Sequence, residues 1–289
     1  MDISVKRPFF LNGMTKMKDK RKTNMSTYSC TQTMATLPDR PLEGEEKKLA
    51  DAMLSSIIRP DTVVEEIIAG SKFIAVKAGG RMGLSSLLGA RPREYEKDLE
   101  HQMIGKDVKQ VAGLISKTSP FAISLGFAAL NAGNAPDPKH VEPSNFPADA
   151  LIARLGKDKI TGLVGEFPFV ESLKNRVGTF HLFELRDVPG AVPHDQWESV
   201  LAGLDVFAVT GTALLTRKMA WFLSRAPHAK IIILGPTTPF SPALFSHGAD
   251  YLCGSVVTDM EKVARGIRAG LPFKMVKKNG GVIFTQWEK

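Results

Sequence analysis

Two cysteines, Cys30 and Cys253, are all that 289 residues contain, and they lie far apart. That excludes a disulfide framework and a zinc ribbon, and it fits a reducing compartment, so a cytoplasmic location is expected. Long hydrophobic runs are also missing. Nothing approaches the roughly 18 apolar residues that a membrane span needs; the stretches around Phe121–Leu130 and Lys230–Leu234 are of a length suited to core elements. The six histidines, at 101, 140, 181, 194, 228 and 247, show no H-x-x-x-H or H-E-x-x-H spacing, so no ready tetrahedral site is written into the chain. There is no G-x-S-x-G elbow for a serine nucleophile. Neither a phosphate-binding G-x-x-x-x-G-K-[ST] loop nor a G-x-G-x-x-G fingerprint occurs.

What is present begins with charge, and its placement matters more than its sum. The net charge is +8, and +5 of it sits in residues 1–24, in Lys6, Arg7, Lys16, Lys18, Lys20, Arg21 and Lys22 against Asp2 and Asp19. A basic tail without apolar periodicity is a different thing from a basic binding face. Its best apolar stretch, Pro8-Phe9-Phe10-Leu11, is too short for a signal-peptide core. Residues 1–44 therefore read as a basic disordered extension, with Met25 and Met34 as candidate alternative starts, and nucleic acid is not an expected partner. A small-molecule ligand is expected instead, with no membrane, and self-association is left open.

Residues 45–135 read as an α+β domain. Leu49, Ala50, Met53, Leu54 and Ile57 recur at helical spacing before Pro60. Three short apolar or alternating runs follow, Val63–Ala69, Lys72–Ala78 and Arg81–Leu88, and Gly79-Gly80 between the last two is a hairpin signal. A three-stranded meander is the result. Asp107 is placed to cap one helix, and Ser119-Pro120 to begin a second, Phe121–Ala132, rich in small residues. Pro136, Pro138, Pro143 and Pro147 mark residues 136–158 as a linker.

Residues 159–289 alternate strand, loop and helix: Ile160–Val164, Thr179–Leu185, Asp205–Val209, Lys230–Leu234 and Tyr251–Cys253, with an amphipathic helix over Asp259–Ala269. Near-continuous apolar strands between helices mean a parallel sheet covered on both faces, so the second domain is Rossmann-like. Ligands of such sheets lie outside the carboxyl ends of the strands. Four strands end there in glycine-bearing loops, Gly165-Glu166-Phe167-Pro168, Thr210-Gly211-Thr212, Gly235-Pro236-Thr237-Thr238-Pro239 and Gly254-Ser255. Glycine lets the backbone approach a ligand, and threonine hydroxyls supply donors. Each glycine alone could equally serve its turn; four at one edge point to a site. Glu184 stands where a Rossmann protein places a ribose ligand, although an acid at a strand end is commonly just solvated. Cys253, also at a strand end, more often means an inert buried thiol than a reactive one.

Five segments carry a resemblance: Gly80–Ser85, Ser124–Ala132, Gly162–Pro168, Thr210–Leu214 and Leu234–Pro239. In this order they resemble the heavy-metal chelation family, over a span from about Glu45 to the C-terminus. The resemblance implies an enolase-N-terminal-like domain followed by the Rossmann-like one, with a site in the cleft between them. It brings Arg81, Gly83 and Asn131 towards Gly165, Glu166, Thr210, Gly211, Gly235, Pro236 and Thr237. Thr216 stands where the family often has Asn. The expected function is binding or processing of a small anionic or metal-chelating molecule, with a metal ion or metal chelate as the candidate cofactor. Any metal would arrive inside an organic chelate or bind through oxygens such as those of Glu166 and Glu184. The alternative is a group transferase that uses a nucleotide-type cofactor. Deleting residues 1–40 is expected to leave the melting temperature within a few degrees of the full chain's, since a tail without apolar periodicity adds nothing to a core; a large loss in thermal unfolding would show that the tail docks.

Overall fold

The computed structural model describes residues 41–88, 94–141 and 147–289, without the side chains of 94–96. The expected basic extension, with its candidate starts, lies almost wholly outside the described residues. After a helix over Gly44–Ser55, the chain forms β1 (Val64–Ala69), β2 (Phe73–Ala78) and β3 (Arg81–Ser86), paired antiparallel in the order β1-β2-β3. Ala78 faces Arg81 across the β2–β3 turn. Gly79 and Gly80 take φ of +55° and +69°, the left-handed values that a two-residue primed turn requires.

Asp107 caps the helix Val108–Ala112, its carboxylate accepting from the Gln110 N–H at 2.7 Å. Ser119 caps the helix Pro120–Asn134 through the Ala122 N–H. Phe121 through Asn134 are all buried, so this helix is apolar all round because it is enclosed all round. The sheet lies directly against it. A Cβ on Gly83 would stand 2.2 Å from the Ala128 carbonyl oxygen and 2.1 Å from the Ala132 nitrogen. Gly83 is glycine because β3 and the helix backbone touch there.

The second sheet holds β4 (Ile160–Val164), β5 (Thr179–Phe183), β6 (Val206–Thr210), β7 (Lys230–Leu234), β8 (Tyr251–Val257) and β9 (Val282–Glu288), in the order β5-β4-β6-β7-β8-β9. The first five are parallel, and β9 returns antiparallel to β8. The segment read as a linker contains the helix Ala148–Leu155, whose Leu151 and Ile152 are fully buried in a cluster with Leu163 and Ala208 of the sheet. The prolines before it mask an apolar stripe that belongs to the second sheet. β9 carries no expectation from sequence, because the chain there reads as mixed polar and apolar: one edge strand half-covered on both faces alternates weakly.

The two sheets share one core. A single cluster of buried side chains runs from Leu49 and Ile74 through Phe127 to Phe207, Ile233 and Leu252. At its centre is a polar joint. Asn131 Nδ2 donates to the Leu84 carbonyl at 2.6 Å and to the Thr237 carbonyl at 3.1 Å. Thr237 Oγ1 accepts from the Ser86 N–H at 2.9 Å and donates to Ser86 Oγ at 3.1 Å. All three side chains are buried, Thr237 to 1% exposure.

Two substitutions test this packing in denaturant unfolding. Gly83→Ala is expected to cost about 3 kcal/mol or more, because backbone on both sides of the new methyl must move; a loss below about 1 kcal/mol would show that strand and helix separate easily. Thr237→Val is expected to cost about 1–3 kcal/mol, since the buried Ser86 N–H loses its acceptor. No measurable change would mean that the joint is not closed in solution.

Candidate functional site

A cavity of about 620 Å³ opens along the carboxyl edge of the second sheet, where Val164, Phe183, Thr210 and Leu234 end their strands and Cys253 of β8 lies level with Leu234. It runs past the junction of β4 and β6, where the chain, having gone from β4 to β5 on one side, crosses to β6 on the other. Open α/β sheets hold ligands at such a switch of direction because the two loops there part and leave a crevice. The first sheet contributes Phe73 and Ser86 to the wall.

Gly165, Glu166, Phe167, Glu184, Thr210, Thr212, Gly235 and Pro236 all line the cavity, so the loops after β4, β5, β6 and β7 converge there, whereas Gly254-Ser255, expected as a loop, lies inside β8. Gly165 and Gly235 have φ of +101° and +113°, which lets each loop leave its strand sharply and turn along the cavity. Other expected residues are elsewhere. Arg81 lies on the first sheet beside Asp137, at 3.5 Å. Asn131, Thr237 and Thr238 are buried, the first two in the polar joint. A Cβ on Gly211 would meet Thr238 N at 2.7 Å, and one on Gly254 the Phe240 ring at 2.7 Å, so these two glycines and Gly83 let elements pack closely and do not face the cavity.

Asp149 lines the cavity in an ion pair with Arg176 at 3.1 Å, and three further charged residues meet at the β4–β5 end. Arg186 Nη2 bonds Glu166 Oε2 at 3.0 Å and Glu184 Oε2 at 3.4 Å. Glu184 is 8% exposed and accepts further from the Glu166 N–H at 3.2 Å and from the N–H and Nε of Arg186. Burial works against the Arg186 cation, but hydrogen bonds and charge from Glu184, then Glu166, outweigh it and hold its pKa above the usual value. Behind them His194 Nε2 bonds the Glu184 carbonyl oxygen at 3.1 Å and sits edge-on to Trp197. The loop acid is thus fixed from several directions, as a positioned group is and a solvated one is not.

The rest of the wall is largely apolar, with seven phenylalanines. Phe167 and Phe169 stack at 5.1 Å between ring centres. At the far end Phe273 meets Phe73 at 5.6 Å and Phe284 at 5.8 Å. Cys253 also lines the cavity, and burial pushes its thiol up to about 12, so it is neutral near pH 7. Sequence reading missed Arg186, Phe273, Lys274, Lys277 and Gln286, all lining residues. Arg186 follows Glu184 by two positions, a spacing that puts both on one side of an extended chain and could have drawn attention; the other four come from the unforeseen β9 and the short helix before it.

A directly ligated metal ion does not fit this lining. Among the described residues no group of three or more His, Cys, Asp or Glu is placed to hold one. Glu166 and Glu184 already share Arg186, and the thiol of Cys253 is protonated. Among the described residues, no helix is long and apolar enough to cross a membrane.

Similarity to known proteins agrees with this architecture. A crystal structure of a protein of unknown function from Desulfitobacterium hafniense superposes with a TM-score of 0.75 at 23% identity, over 84% of this chain and 98% of that one. Another, from Pyrococcus horikoshii, gives 0.67 at 17% identity, over 85% and 100%. These likenesses speak for the fold. An uncharacterized protein of Methanocaldococcus jannaschii is 24% identical over 201 residues, which is 66% of this chain and 76% of that protein. Two sequence models match, over residues 50–134 and 149–286, and both carry the description "Putative heavy-metal chelation". Together they span most of both sheets, and this chain belongs to that family.

Proposed function

We propose that the protein binds, or acts on, a small anionic or metal-chelating organic molecule held in the cavity along the carboxyl edge of the second sheet, with Phe73 and Ser86 closing it from the first. The observation that carries this reading is the cavity itself: about 620 Å³, the size of a drug-like ligand's site, mostly apolar with a few fixed polar groups. The family's description is consistent with a metal-chelating role. The lining lacks a ligand set of its own, so the metal in this reading travels inside an organic chelate and the protein grips the organic part.

A nucleotide cofactor with its ribose on Glu184 is supported less well. Both oxygens of that carboxylate already accept hydrogen bonds, and a ribose diol would have to displace Arg186 to reach them.

Native mass spectrometry of untagged protein, paired with elemental analysis, tests the proposal. The expected result is an adduct of a few hundred daltons that is lost on denaturation, with any metal present in proportion to it. Stoichiometric metal that survives a chelator, with no organic mass beside it, would instead mean that side chains hold the ion.

A further inference from the structure

The two ends of the cavity differ in charge. At the β4–β5 end, two carboxylates flank one guanidinium, so Glu166, Glu184 and Arg186 together carry an excess of one negative charge. At the other end, the helix Phe273–Lys278 places Lys274 and Lys277 on the lining, one turn apart. Neither lysine has a carboxylate within ion-pair distance among the described residues, and Lys277 Nζ rests 4.2 Å above the centre of the Phe284 ring. Beneath them Phe73, Phe273 and Phe284 form an apolar box. Gln286, on the same strand as Phe284 and opposite Cys253, also lines this end, and its Oε1 is buried with no hydrogen-bond partner among the described residues.

We infer that this end is an anion subsite, and that the ligand is an elongated organic anion whose carboxylate, phosphate or sulfonate lies between Lys274 and Lys277. This rests on the cavity being the binding site. Orientation follows from the charges: an anionic group at the β4–β5 end meets two carboxylates for one cation, whereas at the helix it meets two ammonium groups without a carboxylate partner among the described residues. Length follows from the sheet. The charged ends lie four to five strands apart, and at the usual spacing between neighbours that is roughly 20 Å. The ligand's body therefore crosses Thr210, Thr212 and Gly235 with apolar atoms against the phenylalanines.

Two fluorescent probes that share an aromatic body and differ in charge test the subsite: anilinonaphthalenesulfonate and the uncharged N-phenylnaphthylamine, titrated into the full chain. The sulfonate is expected to bind about tenfold more tightly, the equivalent of one good charged contact. Lys274→Gln with Lys277→Gln should abolish that preference and leave the neutral probe unchanged. Lys278→Gln, on the same helix but outside the lining, should change neither. Equal binding of the two probes by the wild-type chain, or a loss in Lys278→Gln as large as in the double variant, would overturn the anion subsite and leave the cavity standing. Thr212→Trp fills the floor and should block both probes. Unchanged binding of both in that variant, or no binding of either to the wild type, would overturn the cavity reading and the subsite with it.

Discussion

The contact of β3 with the backbone of the helix Pro120–Asn134 is the constraint on which the rest of this molecule depends. Gly83 allows that contact, and through it the first sheet comes near enough for Asn131 and Ser86 to bond Thr237 in the loop after β7. An amide bridging a carbonyl of the first sheet and one in a loop of the second is a demanding arrangement. Its cost if misaligned is a set of buried, unpaired groups, so it holds the sheets in one relation or fails outright. The cavity wall made by Phe73 and Ser86 is a by-product of that fixed relation. The motif residues that do not line the cavity, Gly83, Asn131, Thr237, Gly211 and Gly254, are nonetheless the ones that give it shape.

Much of the fold was legible because its signals are local. Gly79-Gly80 demands a tight turn, Asp107 and Ser119-Pro120 demand helix starts, and five apolar runs, four of them followed by glycine-bearing loops, demand parallel strands. The helix Ala148–Leu155 was hidden by the prolines around it, and β9 by its weak alternation. The site divides in the same way. Residues in loops directly after strands, Gly165, Glu166, Thr210, Thr212 and Gly235, could be placed because the geometry of an open sheet puts them at one edge. Short motifs do not say whether a glycine faces a ligand or a neighbouring backbone, and for Gly83, Gly211 and Gly254 a neighbour fills the space. Lys274, Lys277 and Gln286 reach the cavity only because β9 folds back, a tertiary event that no local pattern announces.

The family's description directs attention to metals, and the chemistry of the lining refines what that can mean. Soft metal ions prefer thiolate, and the cysteine on this wall is a neutral thiol. Hard ions prefer several free carboxylates, and the two available share an arginine. What the lining offers is aromatic surface, fixed hydrogen-bonding groups and separated charge, which suit an organic molecule.

The antiparallel return of β9 has a consequence for how the protein is made. Every strand from β4 to β8 can pair as soon as it leaves the ribosome, each beside one already formed or soon to follow. The wall that carries Phe273, Lys274, Lys277 and Gln286 comes after all of them, and Gln286 takes its place only when β9 has closed on Cys253. Until then the nascent sheet presents a half-built trough with its aromatic floor open to solvent.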